Sequence, residues 1–157
     1  MSRAGASTAA AAKGGLDADD FQAVGAFRLA LRRFLAFSEA GAQGAGITSQ
    51  QHQALLAVKC HRGPEPMSIG ELATSLLVKN HTAVELVARL VDSGLAKREP
   101  SAADRRRILL RITAKGERLL TRITRANLEQ LRTTAPVFED LMQTLRRLDT
   151  RAAEGGG

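Results

Sequence analysis

Between residues 68 and 112 the spacing of apolar residues changes from helical to alternating, and few folds accommodate that change. Ser68-Ile69-Gly70-Glu71 has the spacing of a helix start: Ser68 can accept from the Glu71 amide, Glu71 can reach back, and Met67 can staple onto Leu72. A short helix over about Ser68 to Leu76 should follow. Asn80 can cap the next helix, whose stripe is Val84, Val87, Leu90 and Val91, and Gly94 can supply its left-handed terminus. Two short helices this close together predict a helix-turn-helix. Directly afterwards, Leu95 to Glu99 and Arg107 to Ile112 alternate like strands around a turn at Pro100-Ser101-Ala102-Ala103-Asp104. Ile108, Leu110 and Ile112 share one strand face, and Arg107, Leu109 and Arg111 share the other. A hairpin set on a helix-turn-helix is a winged helix: mainly α, with a small β wing.

The flanking segments are helical. Phe21, Val24, Phe27, Leu31, Phe34 and Leu35 form one stripe from about Asp19 to Ala40, with Phe37 off it, and the Gly41 to Gly46 stretch breaks that helix. Thr48 and Gln51 have capping-box spacing for a second helix reaching about Cys60, and Pro64 and Pro66 make the next stretch a loop. After the hairpin, Thr113 can cap a long helix carrying Leu120, Ile123, Asn127 or Leu128, and Leu131. Pro136 suits the first turn of a separate final helix with Val137, Phe138, Leu141, Met142, Leu145 and Leu148 on its stripe. The expected organisation is a disordered tail over 1–17, an N-terminal dimerisation helix over 18–46, and a winged helix-turn-helix over 47–112. C-terminal dimerisation helices follow over 113–152, then a flexible tail over 153–157. Residues 134–150 cannot fold onto a core of their own, so the terminal helices are expected to pack together and against a second copy of the chain. A monomer with these helices packed on the wing domain is the alternative.

The charge is concentrated. Lys and Arg number 23 against 16 Asp and Glu, a formal net charge of +7. Lys79 to Arg125 holds twelve basic and five acidic residues, so the remainder of the chain is balanced. Such a stretch favours a polyanionic partner. With no Trp or Tyr and five Phe, recognition of unpaired bases by ring stacking is disfavoured. The lone Cys60 can make no internal disulfide, which fits a reducing cytoplasm; it reads as a buried structural cysteine, with a peroxide-sensing thiol as the alternative. No apolar run of about 18 residues predicts a membrane span, and Ala9 to Ala12 is too short for a signal-peptide core. Arg3 and Lys13 are the only cations of the N-terminal tail, a weak basis for a nucleic-acid-binding arm. No phosphate-binding loop, CxxC or HExxH occurs, and Cys60 with His52, His61 and His81 lacks metal-site spacing. With no catalytic triad either, neither an enzyme nor a cofactor is expected.

The sequence LLVKNHTAVELVARLVDSGLA from Leu76, followed by KREPSAADRRRILLRITAKGERLL, resembles the MarR family of bacterial transcription regulators over about residues 20–150. Its most specific parts are Gly94-Leu95, Arg98, the wing Asp104-Arg105-Arg106 and the helix entry Ile112-Thr113-Ala114-Lys115-Gly116. The resemblance implies a homodimer that binds double-stranded DNA at a pseudo-palindromic operator, acting as a repressor or an activator, with the repressor as the favoured reading. It also implies release by a small anionic aromatic or phenolic effector, or by thiol oxidation. The start of the second short helix would then enter the major groove with Lys79, Asn80, His81, Thr82 and, one turn on, Glu85. Asn can pair with adenine, Thr can touch a thymine methyl and Glu can accept from cytosine, although Asn80 could equally be only a cap. The family pattern pairs Arg89 with Asp104, tying wing to recognition helix; a phosphate contact by Arg89 is the alternative. Arg106 matches the family's wing arginine, suited to a narrow minor groove. Arg105, Arg107, Lys97 and Arg98 would meet phosphates. Arg28 and His52, polar on packing helices, are the effector-binding candidates. Two rival functions stand beside this one: a non-specific architectural DNA binder, and a helical protein–protein adaptor for an acidic partner.

Overall fold

The computed structural model describes residues 15–155. Met1 to Gly14, with Arg3, Lys13 and most of the expected N-terminal tail, lie outside the described residues, as do the last two glycines. The elements in order are α1 (Ala18–Gly44), α2 (Ser49–Cys60), α3 (Ile69–Ser75), α4 (Asn80–Asp92), β1 (Ala96–Pro100), β2 (Ile108–Ile112) and α5 (Ala114–Gly155). The fold is a winged helix-turn-helix with long helices at both ends of the sequence, mainly α with one antiparallel hairpin, as the sequence predicts.

The chain divides into two units. One runs from residue 34 to residue 130 and holds the winged helix. Its core is a cluster including Leu55, Leu72, Val87, Leu90, Leu95 and Leu110, all essentially excluded from solvent. Capping boxes open α2 and α3 where the sequence places them: Thr48 with Gln51, and Ser68 with Glu71. The hairpin pairs Ala96 with Ile112 through to Pro100 with Ile108. It is tied to the helix-turn-helix by a hydrogen bond from the Leu110 amide to the Met67 carbonyl at 2.8 Å and by a bridge from Leu109 to Ser68.

The other unit holds residues up to 33 and from 131 onward. There Asp17 and Asp20 accept each other's backbone N–H at the start of α1, 2.9 and 3.0 Å, an acidic capping box. Arg151 donates to Asp17 at 2.7 Å and to Asp20 at 3.2 Å, closing the α1 start against the end of α5. The guanidinium hydrogen bond holds the Asp17 carboxyl below its ordinary range. Phe27 and Phe138 meet edge to face with ring centres 5.7 Å apart.

Four expectations are corrected. The break at Pro136 is absent, and α5 is continuous from Ala114 with the proline inside it. Pro136 has no N–H to give to the helix ladder, and the Thr134 hydroxyl beside it donates to the Leu131 carbonyl at 2.8 Å within the same helix. The stripe of α4 is turned by one residue: Ala83, Leu86, Val87 and Leu90 are buried, and Val84 is exposed. Leu109 and Leu110 are both buried although they lie on opposite strand faces, and Ile108 is exposed. Cys60 is exposed rather than buried, since α2 packs through Gln51, His52, Ala54 and Leu55.

The turn between α3 and α4 contains one strained residue. Leu77 has φ 56°, and its side chain is 93% exposed. The Leu77 amide donates to Thr74 and the Val78 amide to Ala73, so the left-handed residue closes the α3 terminus. A branched side chain in this conformation costs about 1 kcal/mol or more. Leu77→Gly is therefore expected to raise stability by roughly 1 kcal/mol, because the strain is relieved and no buried surface is lost. The check is the urea midpoint; a lower midpoint than the parent's would refute the strain.

Candidate nucleic-acid interface

Two exposed features of the winged-helix unit carry the predicted site residues. The first is the start of α4. Its cap residue is Lys79, whose carbonyl accepts from Ala83 at 3.2 Å, and no side chain caps this terminus. Asn80 is thus already helical and is not the cap, a correction that leaves its amide side chain exposed for other contacts. Lys79 and His81 are exposed beside it, Thr82 is half-buried, and Glu85 is exposed one turn on. The first-turn N–H groups of an uncapped helix remain available to an anion.

The second feature is the wing tip. The Arg107 amide donates to the Asp104 carbonyl at 2.9 Å, closing a four-residue turn with Arg105 and Arg106 at its centre. The Asp104 carboxylate accepts the Arg106 amide at 2.9 Å, an Asx turn. Both central arginines are exposed. Asp104 therefore shapes the turn locally. The expected ion pair between Arg89 and Asp104 is not what the structure holds: Arg89 lies 3.9 Å from Glu85 on its own helix. A pair one turn apart within α4 forms without closing a loop, and one oxygen of the Asp104 carboxylate is engaged in its own turn.

Three other basic residues of the Lys79 to Arg125 stretch are already paired with carboxylates. Arg107 does not project with its two neighbours; it folds back to Glu65 at 3.3 Å and Glu71 at 3.5 Å. Lys97 pairs with Glu99 at 2.7 Å, and Arg111 contacts the same carboxylate. These two cations hold the Glu99 carboxyl below its ordinary value. Such exposed pairs contribute little stability, but they remove charge from the surface offered to a polyanion. Arg98 is exposed on β1. Lys79, Arg98, Arg105 and Arg106 are the predicted contacts with no acidic partner among the described residues.

The effector candidates lie in different units. Arg28 is an exposed residue of α1. His52 is 4% exposed on the packed face of α2, its Nε2 finds no partner among the described residues, and burial pushes its pKa down. Neither lines the cleft of about 450 Å³ in the winged-helix unit, where Lys115, Arg118 and Arg122 stand around Ile47, Leu95 and Leu119. Among the described residues no three metal-ligating side chains are gathered to hold an ion, and no helix is long and apolar enough to cross a membrane. Glu65, Ser101 and Glu71, absent from the sequence-derived site, turn out to touch the wing. The one signal that could have found them was the acidic Glu65 between two prolines, opposite an arginine-rich turn.

Comparison with known proteins gives one consistent relationship. The sequence model of the MarR family matches residues 45–107. The transcriptional regulator HosA of Escherichia coli O157:H7 is 35% identical over 74 residues, covering 47% of this chain and 53% of that protein. The chain thus spans about half the length of the curated relatives it matches. Among solved structures, a probable transcriptional regulator from Pseudomonas aeruginosa aligns with a TM-score of 0.59 at 28% identity, covering 80% of this chain and 92% of that one. The structure described as MarR aligns at 28% identity with a TM-score of 0.57, covering 83% and 94%. The Staphylococcus aureus MepR–DNA complex shares the fold with a TM-score of 0.64 at 21% identity, over 82% of this chain and 94% of that chain.

Proposed function

We propose that this chain, whose residues 45–107 match the sequence model of the MarR family, is a transcription regulator of that family that binds double-stranded DNA as a homodimer and acts as a repressor. The carrying observation is the wing tip. Arg105 and Arg106 occupy the centre of a turn that Asp104 holds shut, exposed and without acidic partners among the described residues, on the hairpin that follows α4. In this reading the α4 start enters the major groove with Lys79, Asn80, His81, Thr82 and Glu85. Arg106 lies in the minor groove. Arg105 and Arg98 meet phosphates, and Lys97 and Arg89 can join them only by leaving Glu99 and Glu85. The solved MepR–DNA complex supports the class of partner by analogy with a relative.

The homodimer is supported by apolar side chains left uncovered in the terminal unit: Phe21 is 67% exposed, and Val24, Met142 and Leu145 are each about half exposed. A patch of this kind is expected at an interface. The 18–46 and 113–152 segments would supply it. Release by a small anionic aromatic effector belongs to the same proposal. The Lys115, Arg118 and Arg122 cleft, with Ile47 and Leu95 as apolar floor, offers the cations and the surface that such a ligand needs. The buried His52 offers less access.

The test is selection of bound duplexes from a random pool, followed by a salt series on the winner. Two half-sites about one helical turn apart are expected. If the dimer neutralises six to ten phosphates, affinity should fall by roughly a thousandfold or more between 50 and 200 mM salt. Duplex binding without a selected palindrome would point to an architectural binder. Failure to bind any duplex at low salt would point to a protein adaptor.

A further inference from the structure

We infer that Glu65, Arg107 and Ser101 form a buttress that positions the wing-tip Arg106, so that Glu65 strengthens DNA binding despite carrying a negative charge beside the interface. The inference rests on the reading of the wing as a DNA-binding element. Ser101 begins the wing loop and is 1% exposed. Its amide donates to the Arg107 carbonyl at 3.0 Å, extending the strand pairing one step past Pro100 and Ile108. Its hydroxyl donates to one Glu65 oxygen at 2.8 Å and accepts the Ala103 and Asp104 amides, each at 3.2 Å. The second Glu65 oxygen accepts from the Arg107 guanidinium at 3.3 Å. The other arm of that guanidinium reaches Glu71 at 3.5 Å. The same Glu71 oxygen accepts the Ser68 amide at 2.8 Å and the Ser68 hydroxyl at 2.6 Å, at the cap of α3.

A hydrogen-bonded chain thus runs from the tip turn through Ser101, Glu65, Arg107 and Glu71 to the first residue of the helix-turn-helix. A two-stranded hairpin is marginally stable by itself. Its tip keeps one pose only if something other than its own ladder fixes it. Here the Asp104 turn fixes the shape of the tip, and the Glu65 buttress fixes where that shape stands on the body. Glu65 is a positioning residue: it acts through Arg106 and touches no nucleic acid itself.

The sign of one substitution separates this role from plain electrostatics. Removing a carboxylate next to a phosphate-binding surface should tighten binding if only charge matters. Loss of the buttress should weaken it. The experiment measures duplex affinity of the full chain by fluorescence anisotropy at matched salt, for Glu65→Gln, Glu65→Ala, Arg107→Gln, Arg106→Ala and the double variant Glu65→Ala with Arg106→Ala. Glu65→Ala is expected to weaken binding by about fivefold or more, a part of what a good groove contact supplies. In the Arg106→Ala background the same substitution should cost nothing further, because the group it positions is gone. Amide exchange without DNA should show the Ala103 and Asp104 N–H groups faster in Glu65→Ala. Tighter binding by Glu65→Gln, additive losses in the double variant, or unchanged wing exchange would each overturn the positioning role. If Arg107→Gln lowers the salt slope by about one, Arg107 grips a phosphate and the buttress is refuted. A parent that binds duplex while Glu65→Ala leaves affinity unaffected overturns this inference alone. A parent that binds no duplex overturns the functional reading and this inference with it.

Discussion

Replacing Gly116 by alanine should destabilise the winged-helix unit by about 3 kcal/mol, at the upper end of what overpacking costs. A Cβ at this position would fall inside the contact radius of the Leu95 carbonyl oxygen and 2.7 Å from Ile112 Cγ2. The Leu95 carbonyl cannot step aside: it accepts the Thr113 amide at 3.0 Å. Thr113 is pinned as well, donating its hydroxyl to the Gly94 carbonyl at 2.6 Å and accepting the Gly116 amide at 3.1 Å. The first turn of α5 is thereby fastened to the junction of α4 and β1, and only a residue without a side chain allows the approach. Relief would require α5 to move off that junction and break these bonds. Gly70, exposed on α3 with open space around its Cα, is the control: Gly70→Ala should gain roughly 0.5–1 kcal/mol from reduced chain entropy. Denaturant unfolding of the two variants against the parent decides the matter. A Gly116→Ala protein as stable as the parent would show that the close approach is not real.

Arg106→Ala should weaken duplex binding by roughly 1–3 kcal/mol, the range of a good groove contact. Arg106 is the residue that the Asp104 carboxylate holds at the turn centre by its amide, leaving the guanidinium outside. Its neighbour Arg107 has two carboxylates within 3.5 Å; Arg106 has none among the described residues. In a narrow, A-tract minor groove the negative potential is enhanced, so the contribution of Arg106 should depend on groove width more than on base identity. The parent is therefore expected to prefer duplexes with A-tract steps where the wing lies, and the variant to lose that preference along with affinity. Anisotropy titrations on paired duplexes at one salt concentration measure both. Equal affinity of parent and variant, with the preference retained, would remove Arg106 from the interface.

Much of this chain was legible because the signals are local. Capping boxes at Thr48 and Ser68 act over three residues, and both form as read. Gly94 takes the left-handed conformation expected of a helix terminus, φ 69°. The hairpin follows from two-residue alternation. Errors arose where a local rule met a distant neighbour. Val84 and Ala83 are both acceptable on an apolar stripe, and the surroundings of α4 chose Ala83. Pro136 is an ordinary helix starter, but it lies inside the continuous α5. Arg89 and Asp104 are complementary, yet each found a closer partner.

By itself the amino-acid order determined the order of elements from α1 to the hairpin, the winged-helix class and the concentration of positive charge between Lys79 and Arg125. Each of these depends on residues within a few positions of one another or on simple counting. Only the tertiary structure decided which arginines remain unpaired, because a guanidinium is neutralised by whatever carboxylate the fold brings within reach. Glu65 and Glu71 lie 42 and 36 residues from Arg107, a separation that no local pattern can encode. For the same reason the MarR-like glycine of the α5 entry could be recognised in the sequence, but its necessity came into view only once Leu95 stood against it.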